Sequence, residues 1–203
     1  MKRRGGAPVR KIKTFLHRLF APQTKPTEGT KMLLFAAGIY LLLLIWAIVF
    51  KFSVISAIDI NVKKSLGERF INGFHFFDYF YESNPWLVWR GFIIAILNIL
   101  VFMPWGIYAS FFYDKKRTVG FACIFSALVE CIQLFAKFGV FSFEDIVLNT
   151  LGAFLGVLIF DKYICQLSQN TTQKVNGWVV RIGSPFAVLA YINVIVAMAL
   201  YFS

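Results

Sequence analysis

The chain has 203 residues, of which 59% are apolar and only 15% charged, with a mean hydropathy of +0.69, whereas soluble domains carry about 25% charge. Its 24 Phe, 8 Tyr and 5 Trp bring more greasy surface than a water-facing domain of this length can hide, so lipid must solvate much of it and a soluble enzyme is excluded. The formal net charge of +11 would suit a nucleic-acid binder, but nine of the 21 basic residues (Lys2, Arg3, Arg4, Arg10, Lys11, Lys13, Arg18, Lys25, Lys31) precede the first long apolar run. They read as a juxtamembrane tail drawn to anionic lipid, and nucleic acid is not an expected partner.

Within that tail, Val9, Ile12, Leu16, Leu19 and Phe20 recur at near-helical spacing among basic residues. Residues 1–31 are therefore expected to form a basic cytoplasmic tail with an amphipathic helix on the membrane surface. Residues 32–203 are expected to form one all-α membrane domain. A bilayer core about 30 Å thick needs roughly 20 apolar residues in a helix, and five runs approach that length, at 32–50, 91–112, 119–136, 146–160 and 182–203. The first is longer than the apolar core of a signal peptide and lacks a small-x-small cleavage pattern, so it reads as a retained anchor. An inside N-terminus places fifteen basic residues on the cytoplasmic side and six outside, which predicts N-terminus in and C-terminus out across the cell membrane.

Between the first two runs, Phe70, Phe74, Phe76, Phe77, Tyr79, Phe80 and Tyr81 make the connection too aromatic for a free loop. It should lie in the outer interface or dip back into the bundle; an aromatic belt that only anchors the chain is the plainer alternative. The second run carries Arg90 at its outer end and Asn98 roughly 12 Å deeper, then Pro104 and Gly106. Proline in a helix interior leaves the carbonyl of Leu100 without its donor, so a kink is expected, and freed carbonyls near Asn98 would line a polar cavity.

Charged and amide groups inside lipid are costly, and each needs a reason. The third run holds Ser126, Glu130, Gln133 and Lys137 at offsets of 4, 7 and 11, and the fourth holds Asp145, Asn149, Gly152 and Gly156 at the same offsets. Each set forms one helical stripe. The short connection between the two runs makes them antiparallel neighbours, so the stripes are expected to face one another in the outer half of the membrane. Gly152 and Gly156 also form a GxxxG pair that admits a close helix contact.

Arg90, Asn98, Glu130, Gln133, Asp145 and Asn149 are thus the candidate ligand-binding residues, with Glu130 and Asp145 as candidate acids or bases; Pro104, Gly106, Gly152 and Gly156 are candidate structural positions. The alternative for the polar group is an ion-paired network that only holds helices together. Cys123, Cys131 and Cys165 have no CxxC spacing, and His17 and His75 stand far apart, so neither a metal nor a cofactor is implied. No repeat of the inverted-transporter kind is visible.

At these positions the chain resembles the VanZ-like family of Gram-positive membrane proteins. Asn98-Ile99-Leu100-Val101-Phe102-Met103-Pro104-Trp105-Gly106 is similar to the family's N-x-x-x-F-x-P-x-G, Glu130 and Gln133 to its E-x-x-Q, and Asp145 to Gly156 to its D-I-x-x-N-x-x-G-x-x-x-G. Arg69, Phe70, Ile71 and Asn72 resemble the start of its R-x-I-N-L-I-P-F, which Gly73-Phe74-His75-Phe76 do not continue. An Arg common before the acidic pair is absent around Phe141-Ser142-Phe143. The resemblance implies a multi-pass envelope protein and a part in resistance to teicoplanin-type glycopeptides, without a catalytic mechanism to carry over. Expected partners are membrane lipid, a lipid-linked cell-wall precursor or lipoglycopeptide, and a further copy of the chain or another membrane protein. The alternatives are a carboxylate-dependent enzyme acting on an envelope lipid or its headgroup, and a structural subunit docking through its glycines.

Overall fold

The computed structural model describes residues 28–50, 65–74, 78–135 and 141–202; the expected amphipathic helix of the tail, together with His75, Phe76, Phe77 and Lys137, lies outside them. Among the described residues the chain is helical, without strands. The helices are α1 (Glu28–Phe50), the short α2 (Leu66–Ile71), α3 (Pro85–Ser110), α4 (Lys115–Phe135), α5 (Phe143–Lys162) and α6 (Gln169–Phe202), with 3-10 turns at Asn72–Phe74, Asp78–Tyr81 and Ile164–Gln166. Four segments are long and apolar enough to cross a membrane, Pro85–Ser110, Lys115–Phe135, Phe143–Gln166 and Gln169–Ile192, and α1 adds a shorter apolar stretch, Lys31–Ala47. The chain is an all-α membrane protein.

Helix starts follow local chemistry. The Asn84 side chain accepts from the Trp86 amide and Pro85 occupies the first helical position of α3, where its missing N–H costs nothing. Ser142 caps α5 by accepting from the Asp145 amide, with Glu144 and Asp145 in the first turn, where the helix dipole favours negative charge. In α2, Ser65 and Glu68 form a reciprocal capping box, which helps so short a helix to form at all. Helix α6 begins at Gln169, well before the apolar run at 182, because Ser168 accepts from the Thr171 amide and starts the helix in polar sequence.

Helix α5 lies between α3 and α4, and α1 pairs with α6. Its contact with α3 is backbone on backbone. A methyl group added at Gly152 would collide with the Ile99 carbonyl, one at Gly156 with the Met103 carbonyl, and one at Gly106 with the Ala153 carbonyl. The GxxxG pair is therefore an internal seam. Around it, Leu44, Phe102, Ala122, Val129 and Ala153 form a core shared by α1, α3, α4 and α5, joined by Trp105 and Phe125, whose rings stack at 5.1 Å.

Helix α3 continues through Pro104 as one element. The Tyr40 hydroxyl of α1 donates to the Val101 carbonyl at 2.9 Å, and the Trp105 indole N–H donates to the Thr118 carbonyl at 3.1 Å. The polarity beside the proline is thus met at Val101 by a neighbouring helix. The carbonyl that Tyr40 meets is one residue beyond that of Leu100, which Pro104 deprives of its helical donor.

Candidate functional site

The sequence-predicted polar residues converge at the end of the bundle where α4 finishes and α5 begins. The Asn98 amide of α3 donates to Asp145 Oδ1 of α5 at 2.7 Å. The Ser142 backbone N–H donates to Glu130 Oε2 of α4 at 2.7 Å, while the Ser142 side chain accepts from the Asp145 amide at 3.1 Å. One turn deeper, the Asn149 amide donates to the Ser126 hydroxyl at 2.9 Å. Glu130 and Gln133 are fully buried, and Ser126 and Asn149 are at most 2% exposed. Three helices thereby meet through one chain of contacts, Asn98 to Asp145 to Ser142 to Glu130.

Ser126, Glu130 and Gln133 of the α4 stripe are buried together, and Lys137 lies outside the described residues. The α5 stripe divides: Asn149 reaches α4, whereas Asp145, Gly152 and Gly156 face α3. At 3.6 residues per turn Asn149 is rotated by about 40° from Asp145, and Gly152 by about 20° the other way. A helix seated in the groove between two others sends the two edges of such a stripe to different partners. The two stripes therefore meet through Asn149 and Ser126, and the glycine edge of the second belongs to α3.

Arg90 is not brought into this network. It is exposed on α3, eight residues before Asn98, and makes no ion pair among the described residues. Among the described residues the buried cation at this end is Arg69 of α2, 1% exposed, whose Nη1 donates to the Leu134 carbonyl in the last turn of α4 at 2.5 Å. At the same end of the bundle lies an aromatic cluster, with Phe70 and Phe74 5.2 and 5.8 Å from Phe141, and Phe74 stacked on Phe143 at 6.1 Å. The aromatic connection thus packs against the bundle end at these residues.

Sequence reasoning missed Ser142 as a member of the site. Its signal was present, since Ser142-Phe143-Glu144-Asp145 is a helix-start pattern, but the use of its own N–H on Glu130 needed the tertiary fold. Among the described residues no group of three or more His, Cys, Asp or Glu is placed to hold a metal ion. The network combines carboxylate, amide and hydroxyl groups, with the guanidinium of Arg69 held apart from it at Leu134.

A VanZ/LLP1 family model matches residues 37–166, from α1 through the turn after α5, and so takes in the whole network. The chain belongs to the VanZ/LLP1 family. Protein VanZ of Enterococcus faecium is similar at 22% identity over 141 residues, which cover 68% of this chain and 79% of the relative. No solved structure matches. The apolar helices and the family together describe a multi-pass membrane protein, and α6 lies beyond the stretch the VanZ/LLP1 family shares.

Proposed function

We propose that this VanZ/LLP1 protein binds the head of a lipid-linked molecule at the outer leaflet and, by holding it or altering its presentation, contributes to resistance against teicoplanin-type glycopeptides. The observation that carries the reading is the network of Asn98, Glu130, Ser142, Asp145 and Asn149 at one end of the bundle, half-buried at Asn98, Ser142 and Asp145 and buried at Glu130 and Asn149. Ionisable groups such as Glu130 and Asp145 are expensive in a membrane and are a default sign of a functional site. The distribution of Lys and Arg supports an outward-facing assignment of this end, since Lys115, Lys116, Arg117, Lys162 and Lys174 cluster at the opposite one.

The test is teicoplanin and vancomycin susceptibility in a strain lacking the gene and complemented with wild type, Glu130→Gln or Asp145→Asn, with membrane levels matched. Wild type should restore resistance and both variants should lose it. Full restoration by both variants would remove the network from the function, and no effect of wild type would remove the resistance reading itself.

A further inference from the structure

Arg69 stands apart from the other polar groups of the bundle end. Its side chain is 1% exposed, yet among the described residues Nε has no hydrogen-bond acceptor. Among the described residues no carboxylate lies within ion-pairing distance of it. Glu130, one turn from Leu134 along α4, is instead engaged by the Ser142 backbone N–H. A guanidinium has five donors in a planar fork, and the Leu134 carbonyl meets one nitrogen of the three.

Capping of α4 is the simplest structural role, since Leu134 lies in its last turn and a cation is favoured there. That role is incomplete. The C-terminal dipole amounts to about half a charge, and a cap works as well from the surface, where water would satisfy the remaining donors. The chain does the opposite. It builds a capped helix of six residues, α2, to carry Arg69, and lays Phe70 and Phe74 over Phe141 and Phe143 beside it. Burying a cation without a counter-ion is costly, and truncating one partner of such a pair shows how much the missing charge matters. The position is also specific. The end of a membrane-spanning helix is where headgroup phosphates lie, and guanidinium matches phosphate oxygens through two parallel hydrogen bonds.

We infer that Arg69 is the phosphate receptor of this site, binding the phosphate of a lipid-linked molecule through Nε and the adjacent Nη. The inference rests on the function proposed above and assigns the chemical class of the head. The same chemistry is offered by a free phosphate ion, so the source has to be separated by experiment.

The full-length protein in nanodiscs would be titrated with undecaprenyl phosphate, with undecaprenol, which has the same tail and no phosphate, and with inorganic phosphate, and read by native mass spectrometry. Wild type should hold undecaprenyl phosphate at least about ten-fold more tightly than undecaprenol, the scale of a charge-assisted hydrogen bond. Arg69→Gln should reduce that preference to less than about two-fold, and Arg69→Lys, which keeps the charge without the fork, should fall between. Inorganic phosphate that binds wild type as tightly as the lipid, and is lost in Arg69→Gln, supports the receptor with the free ion as its source. Equal binding of the two lipids by wild type would overturn the inference while leaving a lipid-binding protein, and this comparison does not depend on any variant folding. Retention of the full preference by a folded Arg69→Gln would overturn it as well. Failure of both lipids and of phosphate to bind would remove the proposed function together with it.

Discussion

Helix α5 has two neighbours and meets them by opposite means. Toward α3 it presents glycine, and the seam is closed by backbone against backbone at Gly152, Gly156 and Gly106, with Asn98 and Asp145 joined at its end. Toward α4 it presents Asn149, and the seam is held by a hydrogen bond between buried side chains. The first seam depends on the absence of side-chain volume, the second on the presence of polarity. A bilayer explains the use of both, because lipid tails supply little hydrophobic drive for helices to associate, and close packing and interhelical hydrogen bonds must do so instead.

Volume should break the first seam most severely. Gly156→Leu is expected to leave no folded, monodisperse protein in detergent, and Gly156→Ala to cost about 1–3 kcal/mol, read as a fall in thermal midpoint. Gly120→Ala is the control, since nothing lies within 4 Å of an added methyl there and alanine favours the helix. A stable Gly156→Ala would show that the backbones are not in the contact described.

Next in size is the polar closure of the same seam. A double-mutant cycle over Asn98→Ala and Asp145→Ala should give a coupling of about 1.5–3 kcal/mol, as for hydrogen bonds to charged groups. Additive effects would mean that the two residues act separately. The second seam should be the more forgiving. A cycle over Asn149→Leu and Ser126→Ala is expected to couple by about 0.6 kcal/mol and at most about 1.7, with the fold retained in each variant. Coupling larger than that of Asn98 with Asp145 would invert the ranking of the two seams.

Much of this was legible in the linear chain. Offsets of 4, 7 and 11 correctly placed Ser126, Glu130 and Gln133 on one buried face, because the angular period of a helix is set by its backbone and needs no partner to define it. The GxxxG pair announced a close approach for the same reason. What the offsets did not contain was the choice of neighbour. The α5 stripe reads as one face, and only the seating of α5 between α3 and α4 divides Asn149 from the glycines. Arg90 and Arg69 show the same limit in charge. Both lie near the bundle end in sequence terms, but one is exposed and the other buried against Leu134, 65 residues away in the chain.

The sequence by itself determined the solvent of this protein, its helical class, the number of apolar helices and the polar positions on them, since hydropathy and helical period are properties of consecutive residues. The tertiary structure alone decided that Tyr40 meets the proline-interrupted helix at Val101, that the Ser142 N–H holds Glu130, and that Arg69 is buried against Leu134. Each of these joins elements that are separate in the chain, and the free energy of such a contact depends on how the helices are rotated and seated against one another, which no local pattern encodes.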